Sequence, residues 1–302
     1  MIKLCESNIP IFLLSAPFGL NSDNPNNIWM QELDEESRKI DNVKAVNQWM
    51  DLYEFLAGDG LVYVLPTTYG LQDQVYTANL GIVLPHTKNK QYVLANFKSP
   101  PRRGEPKAAY KFLKMLGLDI VQAPKYFEGE ADLQYLRDIV YIGAFGIRTS
   151  YEALEWFSKE YDMNVIPFAM EDEYLYHLDC CVFPVSTEKV IMCTELAHPK
   201  TIKNIEKYAE IIDVDIDDAY NGICNSVRSG SCVMSASNLL ELSVHDDNYE
   251  GEKHKVDTLT KICAKHGFEP VLFDLSEFTK SGAMLSCLVN KLNYCDYKIT
   301  NV

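Results

Sequence analysis

A histidine, an aspartate and two adjacent cysteines fall together in YHLDCCVFPV, residues 176–185. Those residue types suit a metal site, a disulfide or a cysteine enzyme whose nucleophile lies elsewhere in the chain. On a strand, His177 and Asp179 share one face while Cys180 and Cys181 point to opposite faces. The two thiols are therefore poorly placed to hold one ion, no further Cys or His lies at ligand spacing, and both read as packing residues. No metal is expected. Further polar clusters follow one another along the chain: NPNNIWM with Asn27 and Trp29, GLQDQVYTANLG with Asp73 and Asn79, and SPPRRGEP with Arg102. YFEGEAD with Glu128 and Asp132, FGIRTS with Arg148, and SGAMLSCLVNKL with Cys287 complete the set. A thiol, an imidazole and several carboxylates suffice for nucleophilic attack coupled to proton transfer.

These clusters lie between elements of alternating type. Helical periodicity marks DNVKAVNQWMDLYEFLAG, EPKAAYKFLKMLGL, SYEALEWFSKEYD, HPKTIKNIEKYAEII and KVDTLTKICAKHG. Asp41, Ser150 and Asp257 are expected to start helices, and Gly58 and Gly267 to close the first and last. Four helices run through a short turn into an apolar strand: GLVYVLP, LDIVQAP, MNVIPFAM and FEPVLFDL. The fourth helix is expected to break that pattern, because DVDIDDAY is too acidic for a buried strand. Strand pairs joined by polar turns precede the helices, as in QVYTANLGIVLP with QYVLANF and LDCCVFPV with KVIMCTEL. The unit reads strand, strand, helix, strand, repeated at a period of about 45 to 60 residues. No linker-like stretch divides the chain, so residues 1–302 are expected to form one α/β domain.

Bulk properties narrow the partners. With 43 acidic against 28 basic residues and a formal net charge of -15, the surface repels nucleic-acid phosphates and anionic lipid, so neither is an expected partner. Small cationic ligands are favoured. No apolar run reaches the roughly 20 residues of a membrane span. The N-terminal MIKLCESNIPIFLLSAPFGL lacks the basic start and small-residue cleavage site of a signal peptide. Nine cysteines, scattered and without CxxC spacing, indicate neither a disulfide framework nor a zinc ribbon, and fit a reducing cytoplasm.

From Asn24 to Leu292 the motifs resemble those of the guanidine-modifying enzymes of the pentein fold: arginine deiminases, dimethylarginine dimethylaminohydrolases, amidinotransferases and arginine dihydrolases. FEGEAD resembles the family's Phe-Glu-Gly-Gly-Gly-Asp, HLD its His-x-Asp, and SGAMLSC its Gly-rich segment before a nucleophilic cysteine. The resemblance implies a five-bladed α/β propeller of ββαβ units with pseudo-fivefold symmetry, and neither cofactor nor metal. It implies Cys287 as nucleophile, His177 as general acid and base, and Glu128 with Asp179 as the carboxylates that grip a guanidinium. YTAN is closer to the Phe-Thr-Ala-Asn of the dihydrolase branch than to a deiminase's Phe-Thr-Arg-Asp, which places Asn79 at the substrate. By the same carry-over Asn27 lies near substrate, Arg102 meets its α-carboxylate, and Arg148 anchors substrate or holds the surrounding loops. Asp132 either buttresses the Glu128 turn or contacts substrate. Three departures bear on loop geometry: Ser281 and Glu130-Ala131 stand where members carry glycines, and Ser286 where many carry His or Arg.

The implied activity is metal-independent hydrolysis of L-arginine through a covalent S-alkylthiouronium to ornithine, ammonia and carbon dioxide, without a fused C-terminal activity. The alternatives are a deiminase releasing citrulline, a dimethylarginine dimethylaminohydrolase, an amidinotransferase and a non-catalytic pentein binding protein. A papain-like protease is disfavoured, because it places cysteine early and histidine late. Oligomeric state stays open, a homo-oligomer included.

Overall fold

The computed structural model describes residues 7–88 and 91–295. The leader region at residues 1–6, Cys5 within it, and part of the polar turn before Gln91 lie outside the described residues. Five three-stranded sheets share one order: an antiparallel pair, then a helix, then a third strand parallel to the middle one. The second sheet is Gly81–Val83, Tyr92–Leu94 and Ile120–Gln122, with helix Glu105–Met115 between its last two strands. The third is Leu133–Arg137, Val140–Phe145 and Asn164–Ala169, with helix Tyr151–Tyr161. The fourth is Val182–Ser186, Lys189–Met192 and Glu210–Asp213, with helix Pro199–Ile205. The fifth is Val227–Ser229, Cys232–Ala236 and Glu269–Phe273, with helix Tyr249–His266. The first is assembled from both ends of the chain: Asn290–Lys291 pairs antiparallel with Ile11–Ser15, which runs parallel to Leu61–Leu65 across helix Asn42–Asp59.

Alternation along each strand distributes its side chains into two cores. Phe12 and Leu14 pack with Val227, Met234 and Phe273 of the fifth unit, whereas Ile11 and Leu13 pack with Val83, Tyr92 and Leu94 of the second. Units two and three share Ile82, Val93, Leu133 and Tyr141; units three and four share Ile142, Phe168, Val190 and Met192. Phe183, Ile191, Val233 and Leu259 join units four and five. Because both faces are covered, Ile11–Ser15 is apolar almost throughout and wholly buried.

Local signals explain most boundaries. The Asp41 side chain accepts from Val43 and Lys44 N–H groups and starts the first helix, which passes Gly58 and stops with Gly60 as its cap. The last helix closes at Gly267 in the left-handed region, but it begins at Tyr249, well before Asp257. The fourth unit keeps the common order, contrary to expectation. Its helix ends at Ile205, Glu210–Asp213 supplies the third strand, and the acidic IDDAY is a separate short helix, Ile216–Tyr220. The helical spacing of HPKTIKNIEKYAEII thus spans two elements. HLDCC is not strand either: His177 caps a 3-10 turn, Leu178–Cys180, so the alternation expected of these residues does not operate.

Asn290 ties the closing strand to the second unit. It accepts from Tyr92 Oη at 2.9 Å and donates to Gly81 O at 2.9 Å and Glu130 Oε2 at 3.2 Å. All of these groups are buried. Replacing Asn290 by Ala should lower unfolding free energy by about 2–4 kcal/mol, the penalty of stranding buried polar groups. Urea titration with an unchanged m-value is the check, and a loss below about 1 kcal/mol would contradict it.

Candidate active site

The site is built from turns that follow or precede strands. Thr77–Leu80 is a 3-10 turn whose Thr77 Oγ1 lies 2.8 Å from both Leu13 O and Leu288 O, binding it to the first unit and to the helix that carries Cys287. Gly129, at φ +70°, lets the Glu128 turn lie directly against this one. A Cβ there would sit 2.4 Å from Ala78 O and 2.5 Å from the Asn79 carbonyl carbon. Asp132 holds the Glu128 turn from behind. Its Oδ2 accepts from Thr149 Oγ1 at 2.6 Å, its Oδ1 from Leu178 N at 3.3 Å, and Thr149 in turn accepts from Glu128 N at 3.2 Å. That is the buttress of the two roles open to Asp132, since its oxygens are occupied by protein donors.

Three side chains meet beside that turn. His177 Nε2 lies 2.8 Å from Glu128 Oε2, and Arg148 Nη1 lies 3.4 Å from the same oxygen while Nη2 donates to Asn26 O at 3.0 Å. Glu128 is fully buried and its Oε1 has no hydrogen-bond partner. Burial pushes its carboxyl up, but the His177 hydrogen bond and the charges of Arg148, His177 and Arg102 outweigh burial and leave it at about 2. Asn79 Nδ2 lies 3.4 Å from His177 Nε2. An Nε2–H that donates to Glu128 leaves no lone pair for a second donor, so this amide is a neighbour of the ring and is free to meet a ligand.

Cys287 lies on the short helix Leu285–Leu288. Its Sγ is 3.5 Å from Asn225 Nδ2 and 3.7 Å from Asp179 Oδ2, and that oxygen also accepts from Ser286 Oγ at 2.6 Å. Burial and the Asp179 charge push the thiol up to about 12. Burial likewise raises Asp179. Cys180 does more than pack, because its Sγ lies 3.7 Å from Asp179 Oδ1, while Cys181 belongs to the core.

A cavity of about 20 Å³ joins these groups, lined by Asn27, Asn79, Arg102, Arg148, His177 and Cys287 among others. That is room for about one water molecule, so a larger ligand enters only if the walls part. Arg102 is less free than expected. Its guanidinium forks onto Glu105 at 2.8 and 2.9 Å and reaches the carbonyls of Asp73 and Tyr76. Asn27 caps the helix Ile28–Glu32 and donates to Ser281 O at 2.9 Å. Trp29 instead donates to Tyr174 O and borders a different, larger cavity. Asp73 is the carboxylate that lines the small cavity, beside Arg102 and Arg148, and it accepts from Asn26. Asn225 and Tyr176 were not legible as site residues; Asn225 had no motif, and Tyr176 read as a neighbour of His177.

The departures from the glycine pattern are accommodated. Gly282, at φ +69°, stands where the left-handed conformation is used, whereas Ser281, Glu130 and Ala131 all have negative φ. Glu130 accepts from Lys291 Nζ and Lys291 N, both at 2.9 Å, and is buried. Among the described residues one group could hold a metal ion, Asp215, Asp218 and His254, with ligand atoms within 4.8 Å of one another. It lies outside this cavity. No helix among the described residues is long and apolar enough to cross a membrane.

The sequence pattern of the family described as N,N dimethylarginine dimethylhydrolase, eukaryotic, matches residues 15–293. The chain belongs to this family. The dimethylarginine dimethylaminohydrolase family and its relatives are guanidine-modifying enzymes that hydrolyse guanidino C–N bonds. Over 286 residues the chain is 28% identical to the bifunctional arginine dihydrolase/ornithine cyclodeaminase AgrE of Nostoc sp., covering 92% of this chain and 37% of that protein. It therefore spans well under half of that relative's length. It is 26% identical over 263 residues to the N(G),N(G)-dimethylarginine dimethylaminohydrolase of Mycobacterium tuberculosis, covering 86% and 78%. The N-terminal domain of ArgZ, a cyanobacterial arginine dihydrolase solved with its product, shares the fold at a TM-score of 0.81 and 24% identity, covering 94% of this chain and 98% of that one.

The Glu130–Lys291 pair ties the turn after Glu128 to the strand after Cys287. Glu130→Ala should cost about 3–5 kcal/mol by removing one partner of a buried ion pair. Adding Lys291→Met should restore most of that. Guanidinium denaturation of the single and double variants tests it, and a double variant no more stable than the single one would sink the idea.

Proposed function

We propose that the protein is a metal-independent cysteine hydrolase of L-arginine that completes two rounds of hydrolysis, an arginine dihydrolase. The observation that carries this reading is the unpartnered Oε1 of fully buried Glu128, whose partners His177 and Arg148 line a small cavity together with Cys287. A buried carboxylate oxygen without a donor is matched by a planar cation, and a guanidinium offers paired N–H groups. Asp179, beside Cys287 Sγ, is the second carboxylate to grip it. Arg102 and Arg148 face the α-carboxylate, and Asp73 suits the α-ammonium.

In this mechanism the Cys287 thiolate attacks the guanidinium carbon, the C–N bond breaks, and His177 gives its proton to the departing ammonia. The product is an S-alkylthiouronium. Neutral His177 then takes one proton from water as it attacks, the C–S bond breaks, and citrulline and the thiolate result, with the second proton of that water released to solvent. A second round on the bound ureido group releases ammonia and carbon dioxide and leaves ornithine. Asn79, a neutral amide turned toward the His177 ring, favours retention of the uncharged ureido group. The dihydrolase names of AgrE and ArgZ support the same choice.

Two structural readings belong to the proposal. The five cores shared by successive units support a five-bladed propeller with pseudo-fivefold symmetry, formed as one catalytic domain. The free thiols of Cys180, Cys181, Cys193, Cys224, Cys232, Cys263 and Cys287 suit a reducing cytoplasm.

Incubation with L-arginine should give ornithine and two equivalents of ammonia, and Cys287→Ala should lower the rate by at least about a thousand-fold. Citrulline as the end product would replace the reading with a deiminase. Turnover of methylated arginines or of an amine acceptor alone would replace it with a dimethylarginine hydrolase or an amidinotransferase, and silence with all of them with a binding protein. A further expectation concerns the thiol. Because its ligand-free pKa is pushed up to about 12, alkylation of Cys287 should rise about tenfold per pH unit up to about pH 10. Peptide mass spectrometry reads this, and a plateau by about pH 8 would contradict it.

A further inference from the structure

We infer that Asn225 is the positioning residue of the nucleophile: it holds the Cys287 sulfur in place and stabilises it as a thiolate. This rests on Cys287 being the nucleophile. Asn225 lies just before the strand Val227–Ser229 and is 2% exposed. Its backbone is fixed by an N–H bond to Gly222 O at 3.0 Å. The orientation of its amide follows from its neighbours. Ser286 N donates to Asn225 Oδ1 at 2.9 Å, so Oδ1 is the acceptor end and Nδ2 is the end that faces Cys287 Sγ at 3.5 Å.

The sulfur's surroundings make that donor matter. A thiol can direct its S–H to Asp179 Oδ2 at 3.7 Å or to Asn225 Oδ1 at 3.8 Å. A thiolate can only accept, and Asp179 then opposes it. Burial and Asp179 both raise the thiol, against which the Met284 backbone N–H and Asn225 act, with Arg102 as a more distant charge. Asn225 is thus the side-chain hydrogen-bond donor to sulfur, and its bond is stronger to the charged form than to the neutral one. The same amide anchors the residue immediately before the nucleophile. Sequence position and charge state of the sulfur are set together by one side chain.

The two roles separate in one substitution. Asn225→Asp keeps an oxygen for Ser286 N–H and the shape of the side chain, but removes the donor and adds a negative charge. Asn225→Ala removes both. The pH dependence of Cys287 carbamidomethylation, followed on its own peptide in the full chain with Cys287→Ala as blank, is the readout. With a cooperative melting transition showing that Asn225→Asp is folded, its alkylation at fixed pH should fall tenfold or more, corresponding to a midpoint at least about one unit higher. Asn225→Ala should also shift upward, by less than Asn225→Asp. With L-arginine, both should lose kcat with little change in KM. An Asn225→Asp profile that coincides with wild type overturns the inference, as does an equal shift in both variants accompanied by equal loss of stability. Failure of the arginine reading is separate, because the alkylation profile needs no substrate: wild-type inactivity on arginine with the expected shifts would leave Asn225 in its role.

Discussion

A buried carboxylate has to be answered by polar groups of the protein, and Glu128 imposes that demand. Fully buried, it is held ionised by His177 at 2.8 Å and Arg148 at 3.4 Å. Each partner is fixed by something further out: Arg148 by Asn26 O and the Tyr176 ring, and the Glu128 turn by Thr149 and Asp132. The arrangement leaves one oxygen unanswered, Oε1, and the proposal of a planar cationic ligand rests on that single deficit. The sulfur shows the opposite condition: burial and Asp179 favour the neutral thiol.

Closure of the chain brings these groups together. Asn290–Lys291 pairs with Ile11–Ser15, and Thr77 joins that strand to Leu288, next to Cys287. Glu130, in the turn after Glu128, reaches the same closing strand through Lys291. The carboxylate and the thiol, far apart in sequence, are thus referred to one short strand.

The repeat was legible because alternating helical and apolar periods are local signals, and Asp41 and Gly267 cap helices as their types require. The fourth unit was misread because a two-turn helix ending at Ile205 runs into Glu210–Asp213 without a change in hydrophobic period. His177 and Asp179 were paired as sharing one face of a strand, a reason that does not hold, since the segment is a turn. Asp73 and Asn225 carried little or no signal. An aspartate or asparagine in a loop is common, and only its burial against Arg102 or Cys287 distinguishes it. Glu130 read as a fault in a glycine run, and its partner Lys291 lies too far along the chain for sequence spacing to pair them.

The pairing of Phe12 with Lys291 also has a kinetic consequence. Contacts between residues so remote in sequence are formed against a loop-closure entropy of roughly 5 kcal/mol plus a constant, by (3/2)RT ln n, and high contact order slows folding. The four inner sheets can form from neighbouring segments, whereas the first sheet waits for the other end of the polypeptide. Cys287 sits just ahead of that last strand, so the seating of its sulfur depends on this long-range closure.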